Sequence, residues 1–346
     1  MKAAILEKIE DLKIKDMPIP KPSGNELLIK VKACAVCGTD VKVYHSGHKN
    51  IEFPRITGHE LSGEIIEAGK NVRNYEKGMR IAVAPAVPCG KCFYCKKEIY
   101  GMCDELKSIG YQYDGGFAEF MIVPERAITN GCVNELPENL SFYEAAIAEP
   151  LACVINSQEL SSVKNGDVVV VIGSGPIGFF HLELARSKGA SKTILIEISQ
   201  ERLKVAQAFA MSDVYIDPSS EDQSKRVMEE TGGRGADVVI VACSSGKAQE
   251  NALGLVAKRG SINFFGGLPK DKPFINFNSN LVHYNEFSVV GTHGSSPRHN
   301  KEALGLISKG IIKAKKYITE TLPLEKLLEG IENVEKAKGL KIIITP

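Results

Sequence analysis

Two regimes of hydrophobic patterning divide the chain. Up to about residue 150 the apolar positions alternate in short stretches, such as Leu27-Leu-Ile-Lys-Val-Lys-Ala33 and Leu61-Ser-Gly-Glu-Ile-Ile-Glu67, broken by Pro and Gly. Period-two alternation puts one face in a core and the other in water, which predicts a small, mostly β domain with long loops. From about 153 to 292 continuous apolar runs take over. Val168–Ile172, Thr193–Ile196, Val214–Ile216, Val238–Ala242, Ser261–Phe265 and Ser288–Gly291 read as strands. Between them, 176–188, Gln200–Ala210, Ser219–Thr231, Ala248–Leu255 and Asn280–Asn285 read as helices. Runs that are apolar throughout suit strands covered on both faces. Strands alternating with helices predict an α/β domain with a doubly wound parallel sheet. Beyond it, helices are expected over Lys301–Lys309 and Leu324–Ala337, and a last strand, Lys341–Thr345, is available to return to the first domain. The expected division is residues 1–152 with 293–346 in the β-rich domain, and 153–292 in the nucleotide-binding one.

The first buried run ends in Gly173-Ser-Gly175-Pro-Ile-Gly178. Gly173 permits the tight turn, Gly175 lets backbone approach a pyrophosphate, and Gly178 lets the next helix pack on the strand. Pro176 sits at the first helical position, where its missing N–H costs little. Ile177 continues a helix whose amino-terminal N–H groups face the phosphates. The second run ends at Glu197, the spacing of an acid that accepts ribose hydroxyls. A glycine turn of some other α/β fold is the competing reading. Strand, glycines, helix, strand and acid together favour a dinucleotide site.

At 346 residues the length suits about two domains. The formal net charge is +1, which leaves no electrostatic footprint for nucleic acid or an anionic membrane. No apolar run reaches the ~18 residues of a spanning helix. The opening MKAAILEKIEDLKIK carries Glu and Asp too early for a signal peptide, so a cytoplasmic location is expected. There the nine cysteines argue for metal or free thiols rather than disulfides.

Four of them, Cys89, Cys92, Cys95 and Cys103, form C-x2-C-x2-C-x7-C, with Gly90 and Gly101 to fold the loop back. Four thiolates on one loop suit a closed, tetrahedral structural zinc site. Iron–sulfur clusters use related spacings, but Asp104 stands where a proline would favour a cluster. A second constellation is Cys37-Gly-Thr39-Asp40 and Gly58-His59-Glu60, with Glu149-Pro150. One thiolate, one imidazole and one carboxylate can hold a zinc with a position left for water or substrate. Cys34 is an alternative to Cys37 but lacks the Gly-Thr-Asp context. Cys34 otherwise, and Cys132, Cys153 and Cys243, read as small buried apolar residues. His181 reads as structural, and His283, His293 and His299 have no ligating spacing.

With these pieces in this order, the chain resembles the medium-chain, zinc-dependent alcohol dehydrogenase superfamily over its full length. The carrying motifs are Cys37–Asp40, Gly58–Glu60 with Gly63, the four-cysteine loop, Asp114-Gly-Gly-Phe-Ala-Glu119, Glu149-Pro150 and Gly173–Gly178. The resemblance implies a GroES-like catalytic domain made from both chain ends, a Rossmann domain inserted in it, and an active site in the cleft between them. It implies a catalytic zinc on Cys37 and His59, completed by Glu60 or Glu149, and a structural zinc on the four-cysteine loop. Glu149 is similar to the residue of polyol, sugar-alcohol-phosphate and threonine dehydrogenases, where ethanol-type enzymes have a sulfur ligand. The implied reaction oxidises a secondary alcohol of a hydroxyl-rich substrate, a polyol or polyol phosphate, to the ketone, with L-threonine as the alternative. Gly294 stands where sorbitol dehydrogenases carry a substrate arginine. Arg298, His299, Lys301 and Lys42 are alternative cationic groups for an acidic substrate, or a solvated face. Thr39 is implied to take the proton and pass it to a ribose hydroxyl. Many relatives have a His where Lys42 stands, so the relay is expected to end at His45, Glu60 or a water. Glu197, followed by Ile198-Ser199, implies NAD rather than NADP. Arg202 is implied to flank the adenine, and Phe265, Gly266, Gly291 and Thr292 to line the nicotinamide half. A homodimer or homotetramer paired through Ser288–Gly291 is implied as well.

Overall fold

A computed structural model describes all of Met1–Pro346. The chain forms two units, Met1–Ala152 with Gly294–Pro346, and Cys153–His293. In the first stretch the elements that matter for the sites are β1 (Leu27–Ala35), α1 (Gly38–Ser46), β2 (Glu60–Ala68), β3 (Arg80–Val83), β4 (Phe120–Val123), β5 (Val133–Glu135) and α2 (Ala148–Leu160). The second unit holds β6 (Val168–Ile172), α3 (Pro176–Ser187), β7 (Lys192–Ile196), β8 (Val214–Ile216), β9 (Ala236–Val241), β10 (Val256–Phe264), α4 (Ser279–Asn285) and β11 (Ser288–Gly291). The chain then adds α5 (Pro297–Ser308), β12 (Ile318–Pro323), α6 (Leu327–Glu335) and β13 (Lys341–Thr345).

The first unit is a mixed sheet in the order β5-β3-β2-β1-β13-β12, with β4 also paired to β1. Leu27, Ile29, Val31, Leu61, Ile65, Ile81, Phe117, Ile342 and Ile344 form its core. The period-two pattern of β1 and β2 thus buries one face, and the chain's last strand closes the sheet beside its centre. β13 runs antiparallel to β1, with Ile344 opposite Cys34. That register carries Lys341 into the interior, where it is 4% exposed. A buried ammonium must find an acceptor, and the acceptor proves to belong to the site described below.

The second unit is an all-parallel sheet in the order β8-β7-β6-β9-β10-β11. All five residues of β6 are buried, as a strand covered on both faces requires. α3 lies close on this strand because position 178 is glycine: a Cβ there would stand 1.9 Å from the carbonyl oxygen of Gly173. Helix ends fall where side chains cap them. The stretch read as a helix from Ser219 starts later, at Gln223, because Asp222 accepts from the N–H groups of Ser224 and Lys225. Ser219 is held instead in a turn by Asp217. α5 starts at Pro297, before Lys301, because Ser296 and His299 cap it reciprocally. His299 is therefore part of a helix cap, and Arg298 pairs with Glu302 along the same helix. His181, on α3, is fully buried and set edge-on to Phe265 at 5.1 Å. Burial pushes its pKa down to about 3, so it is a neutral core residue.

Candidate functional site

The loop from Cys89 to Cys103 folds back so that its four sulfurs lie within 4.8 Å of one another. Backbone N–H groups aim at them: Cys92 N donates to Cys89 Sγ at 3.3 Å, and Cys89 N to Cys103 Sγ at 3.2 Å. Four sulfurs at about 2.3 Å from one tetrahedral centre would be about 3.8 Å apart. Cys89 and Cys95 are 3.9 Å apart. The residues therefore fit zinc with no ligand position to spare. The Lys91 N–H and other local donors lower the Cys89 thiol to about 6, whereas burial pushes Cys95 up to about 12.

The second cluster is assembled from separate elements. Cys37 is the N-cap of α1, and Asp40 at the third helical position accepts its N–H through Oδ2 at 2.8 Å. Asp40 Oδ1 stands 3.8 Å from His59 Nδ1, so one carboxylate orients two candidate ligands. His59 follows Gly58, whose φ is +93°; a Cβ on Gly58 would lie 2.8 Å from Cys34 Sγ and 2.9 Å from the Phe117 ring. Only glycine brings the chain through there, which accounts locally for the Gly-His-Glu motif. Glu60, at the start of β2, is wholly buried. Its two oxygens accept from Lys341 Nζ at 2.7 and 2.5 Å.

Ligand atoms of Cys37, His59 and Glu60 lie within 4.8 Å of one another. Glu149, at the start of α2, stands outside that group of three, but its charge reaches His59 and Lys341. Burial by itself would keep His59 neutral; Asp40, Cys37 and Glu149 outweigh burial and raise its pKa well above the usual value. The same contest ends the same way at Lys341, where burial is overcome by Glu60 first, then by Cys37 and Glu149. With Cys37 as a thiolate, the group carries the negative charges of Cys37, Asp40, Glu60 and Glu149 against Lys341 and a His59 that this excess holds protonated, and a metal would take the place of the His59 proton. A divalent cation offsets most of that excess, and thiolate, imidazole and carboxylate are zinc donors. The residues fit the metal.

Thr39 is half-buried in the first turn of α1, next to Cys37. His45 lies at the far end of α1. Its Nδ1 is 2.8 Å from Glu10 and its Nε2 3.3 Å from Glu335, on the surface. Both ring nitrogens are engaged on the surface, away from Cys37 and His59, and no hydrogen bond links His45 to Thr39. Two residues of the site escaped sequence reasoning. Lys341 lies 281 positions from Glu60, with no local signal of the pairing. Tyr111 sets its ring 6.0 Å from that of His59 and edge-on to His48 at 5.1 Å. Burial, then the charges of Asp40, Cys37 and Glu149, push its phenol pKa up, so it stays protonated. Its place just ahead of the Asp114-Gly-Gly motif is the signal that could have found it.

In the second unit Gly173 turns at φ +110°, and Gly175 is the N-cap of α3, with Pro176 following and no side-chain cap. A Cβ on Gly175 would meet nothing within 4 Å, so the helix N-terminus faces open space, as a pyrophosphate requires. Glu197 is 7% exposed, and much of its acceptor capacity is used. Oε2 accepts from the N–H and hydroxyl of Ser174 at 2.8 and 2.7 Å, and Oε1 from Ser199 N at 2.8 Å. That leaves room for one further hydrogen bond at Oε1, not the pair of ribose hydroxyls expected from sequence. Arg202 is exposed on the helix that Ser199 caps. Phe265 and Gly266 follow β10, Gly291 ends β11, and the Thr292 hydroxyl is tied to Asn263 at 2.8 Å. All four lie at the carboxyl ends of strands, where ligands bind in this kind of sheet.

Residues 23–134 match the alcohol dehydrogenase GroES-like domain, and residues 176–309 match the zinc-binding dehydrogenase domain. The chain is 32% identical to a sorbitol dehydrogenase of Halalkalibacterium halodurans over 96% of its own length and 95% of that protein's. It is 31% identical to the D-arabitol-phosphate dehydrogenase of Enterococcus avium, over 95% and 92%. Among solved structures, a protein of Sinorhizobium meliloti 1021 described as a zinc-binding dehydrogenase, with NADP bound, superposes with a TM-score of 0.92. The identity is 30%, covering 100% of this chain and 99% of that one.

Proposed function

The chain belongs to the zinc-binding, GroES-like alcohol dehydrogenase family, and from that premise we propose that it oxidises a secondary alcohol of a polyol or polyol phosphate to the ketone, reversibly, with NAD. The observation that carries this is the gathering of Cys37, His59 and Glu60 within 4.8 Å, oriented by Asp40, in a chain that also has the uncapped Gly173–Gly178 turn. The relatives that are sorbitol and arabitol-phosphate dehydrogenases support a hydroxyl-rich substrate.

Cys37 and His59 would hold the catalytic zinc, with Glu60 as the nearest carboxylate and Glu149 beside it. Cys89, Cys92, Cys95 and Cys103 would hold the structural one. When bound, zinc acts as a Lewis acid that acidifies an alcohol and nicotinamide takes up the hydride. Asp40 holds His59 and the backbone of Cys37 in ligand geometry, and Lys341 fixes the carboxylate of Glu60. The Thr39 hydroxyl accepts the proton that the alcohol gives up and hands one on toward water, so the substrate loses one hydride and one proton. Glu197 favours NAD, because its carboxylate sits where a 2′-phosphate would be repelled. Gly173, Gly175, Pro176, Ile177 and Gly178 bind the pyrophosphate, Arg202 flanks the adenine, and Phe265, Gly266, Gly291 and Thr292 line the nicotinamide half. A homo-oligomer is supported by β11, an edge strand paired only to β10, with Phe274 92% and Tyr284 76% exposed in the segments before it.

A panel of polyols, polyol phosphates and L-threonine, run with NAD and then NADP and read by reduced-cofactor absorbance, tests the reading. NAD reduction by a polyol or its phosphate is expected. Turnover of L-threonine alone, or of no alcohol at all, would overturn it.

A further inference from the structure

We infer that Tyr111 selects the substrate, its phenol donating a hydrogen bond to an oxygen on the carbon next to the one oxidised. The inference rests on the dehydrogenase reading above and names a residue that determines which alcohols the site accepts. Three observations put its ring beside the candidate metal ligands and leave its hydroxyl available to a ligand. Its ring is 6.0 Å from the ring of His59 and edge-on to His48 at 5.1 Å, so it stands beside the Cys37–His59–Glu60 group. It is packed against the small core of Leu6, Val43 and Ile51 under α1, which holds the ring in place. The side chain is half-buried, yet its hydroxyl has no hydrogen-bond partner in the protein; only the backbone N–H of Tyr111 is engaged, with Ser108 O. The hydroxyl is not among the buried polar atoms left without a partner, so water meets it in the free protein, and a substrate oxygen that displaces that water can take its place.

The chemistry of the surroundings fixes its role as donor. A phenol keeps its proton near neutrality, so the hydroxyl has an O–H to donate. Asp40 is taken up by Cys37 and His59, and Glu60 by Lys341. An oxygen entering beside the reacting carbon therefore meets a protonated, unengaged O–H. A substrate without that oxygen leaves the phenol desolvated and unpaired, which is how a polar site rejects an analogue that lacks a hydroxyl. The chain is thereby tuned to vicinal diols, and simple secondary alcohols are the disfavoured class.

The test compares kcat/KM for two substrates in wild type and Tyr111→Phe. One is the polyol that the wild type oxidises best; the other is its analogue with hydrogen in place of the hydroxyl beside the oxidised carbon. Zinc content and thermal midpoint are read on the same preparations. Losing one neutral hydrogen bond should lower kcat/KM for the polyol by about tenfold, mostly through KM, and leave the deoxy analogue unchanged. Tyr111→Met, which removes the ring as well as the donor, should lose the same discrimination. An unchanged ratio in Tyr111→Phe, or an equal fall for both substrates, overturns the assignment. So does a ratio lost only in Tyr111→Met, which would make ring packing the selector. A wild type that oxidises no polyol defeats the dehydrogenase reading itself, whereas an active wild type with an unchanged ratio in the variant defeats the role of Tyr111 alone.

Discussion

The four-cysteine lobe and the Cys37–His59–Glu60 cluster both gather metal donors within 4.8 Å, but they hold them by different means. In the lobe the ligands come from one loop, and backbone N–H groups steady the sulfurs. Nothing else is needed, and nothing is left open. In the cluster the support comes from other side chains: Asp40 accepts the backbone N–H of Cys37 and stands 3.8 Å from His59 Nδ1, and Lys341 pairs with Glu60. Those holders are buried charges, which cost free energy unless they are paired. The difference teaches that a closed site spends its ligands on the fold, whereas an open site needs outside support to keep its ligands placed while a coordination position stays free.

The largest effect on stability is expected at the lobe. Cys103→Ser should remove its zinc and lower the unfolding free energy by on the order of 5 kcal/mol or more, because metal affinity in such sites is folding free energy. Denaturant titration measures it. A variant as stable as wild type would break the contrast by making the lobe dispensable.

Lys341→Met comes next. Removing one partner of a buried ion pair should cost ~3–5 kcal/mol, since Glu60 is left charged and alone. The loss should be smaller with zinc bound than after chelation, because the metal then offsets the Glu60 charge. Equal losses in the two states would separate Lys341 from the metal site.

A pH titration sharpens the contrast further. Burial holds Cys95 and Cys103 above the usual thiol range, so both carry protons near neutrality and must release them to bind zinc. Lower pH favours the protonated thiols and so weakens binding. Lobe affinity should rise by at least about a hundredfold per pH unit near pH 7, as release of at least two protons requires. Competition with a chelator, in a Cys37→Ser background that leaves only the lobe, gives the slope. A slope near zero would mean thiolates already formed without metal. The smallest effect is expected at His45: His45→Ala should change turnover by less than about twofold, because its partners are exposed carboxylates. A large loss would restore it to the relay.

What the chain discloses before it folds follows the same division. Strands such as Val168–Ile172, the Gly173–Gly178 turn and the four-cysteine spacing are local patterns, and the strand, the turn and the gathered sulfurs all appear in the structure. The supports of the open cluster are long-range. Lys341 reads as one polar residue at the start of an apolar strand, and only the β13–β1 register shows that it lies under Glu60. His45 looked available because helical spacing puts it one turn beyond Lys42, but spacing says nothing of Glu10 and Glu335, which come from a turn and another helix. Glu197 was found by its distance from the glycines. That Ser174 and Ser199 already occupy it depends on how the turn closes over the strand end.

The central claim is that the open cluster, not the lobe, carries the chemistry. The direct test is zinc content, thermal midpoint and polyol turnover of Cys37→Ser beside wild type. The account predicts that the variant keeps the lobe zinc, loses the other and retains its fold. Turnover should fall by at least about a thousandfold, the equivalent of ~4 kcal/mol of transition-state stabilisation. Full turnover in a variant that has lost one zinc, or full zinc content with the same loss of turnover, would contradict it.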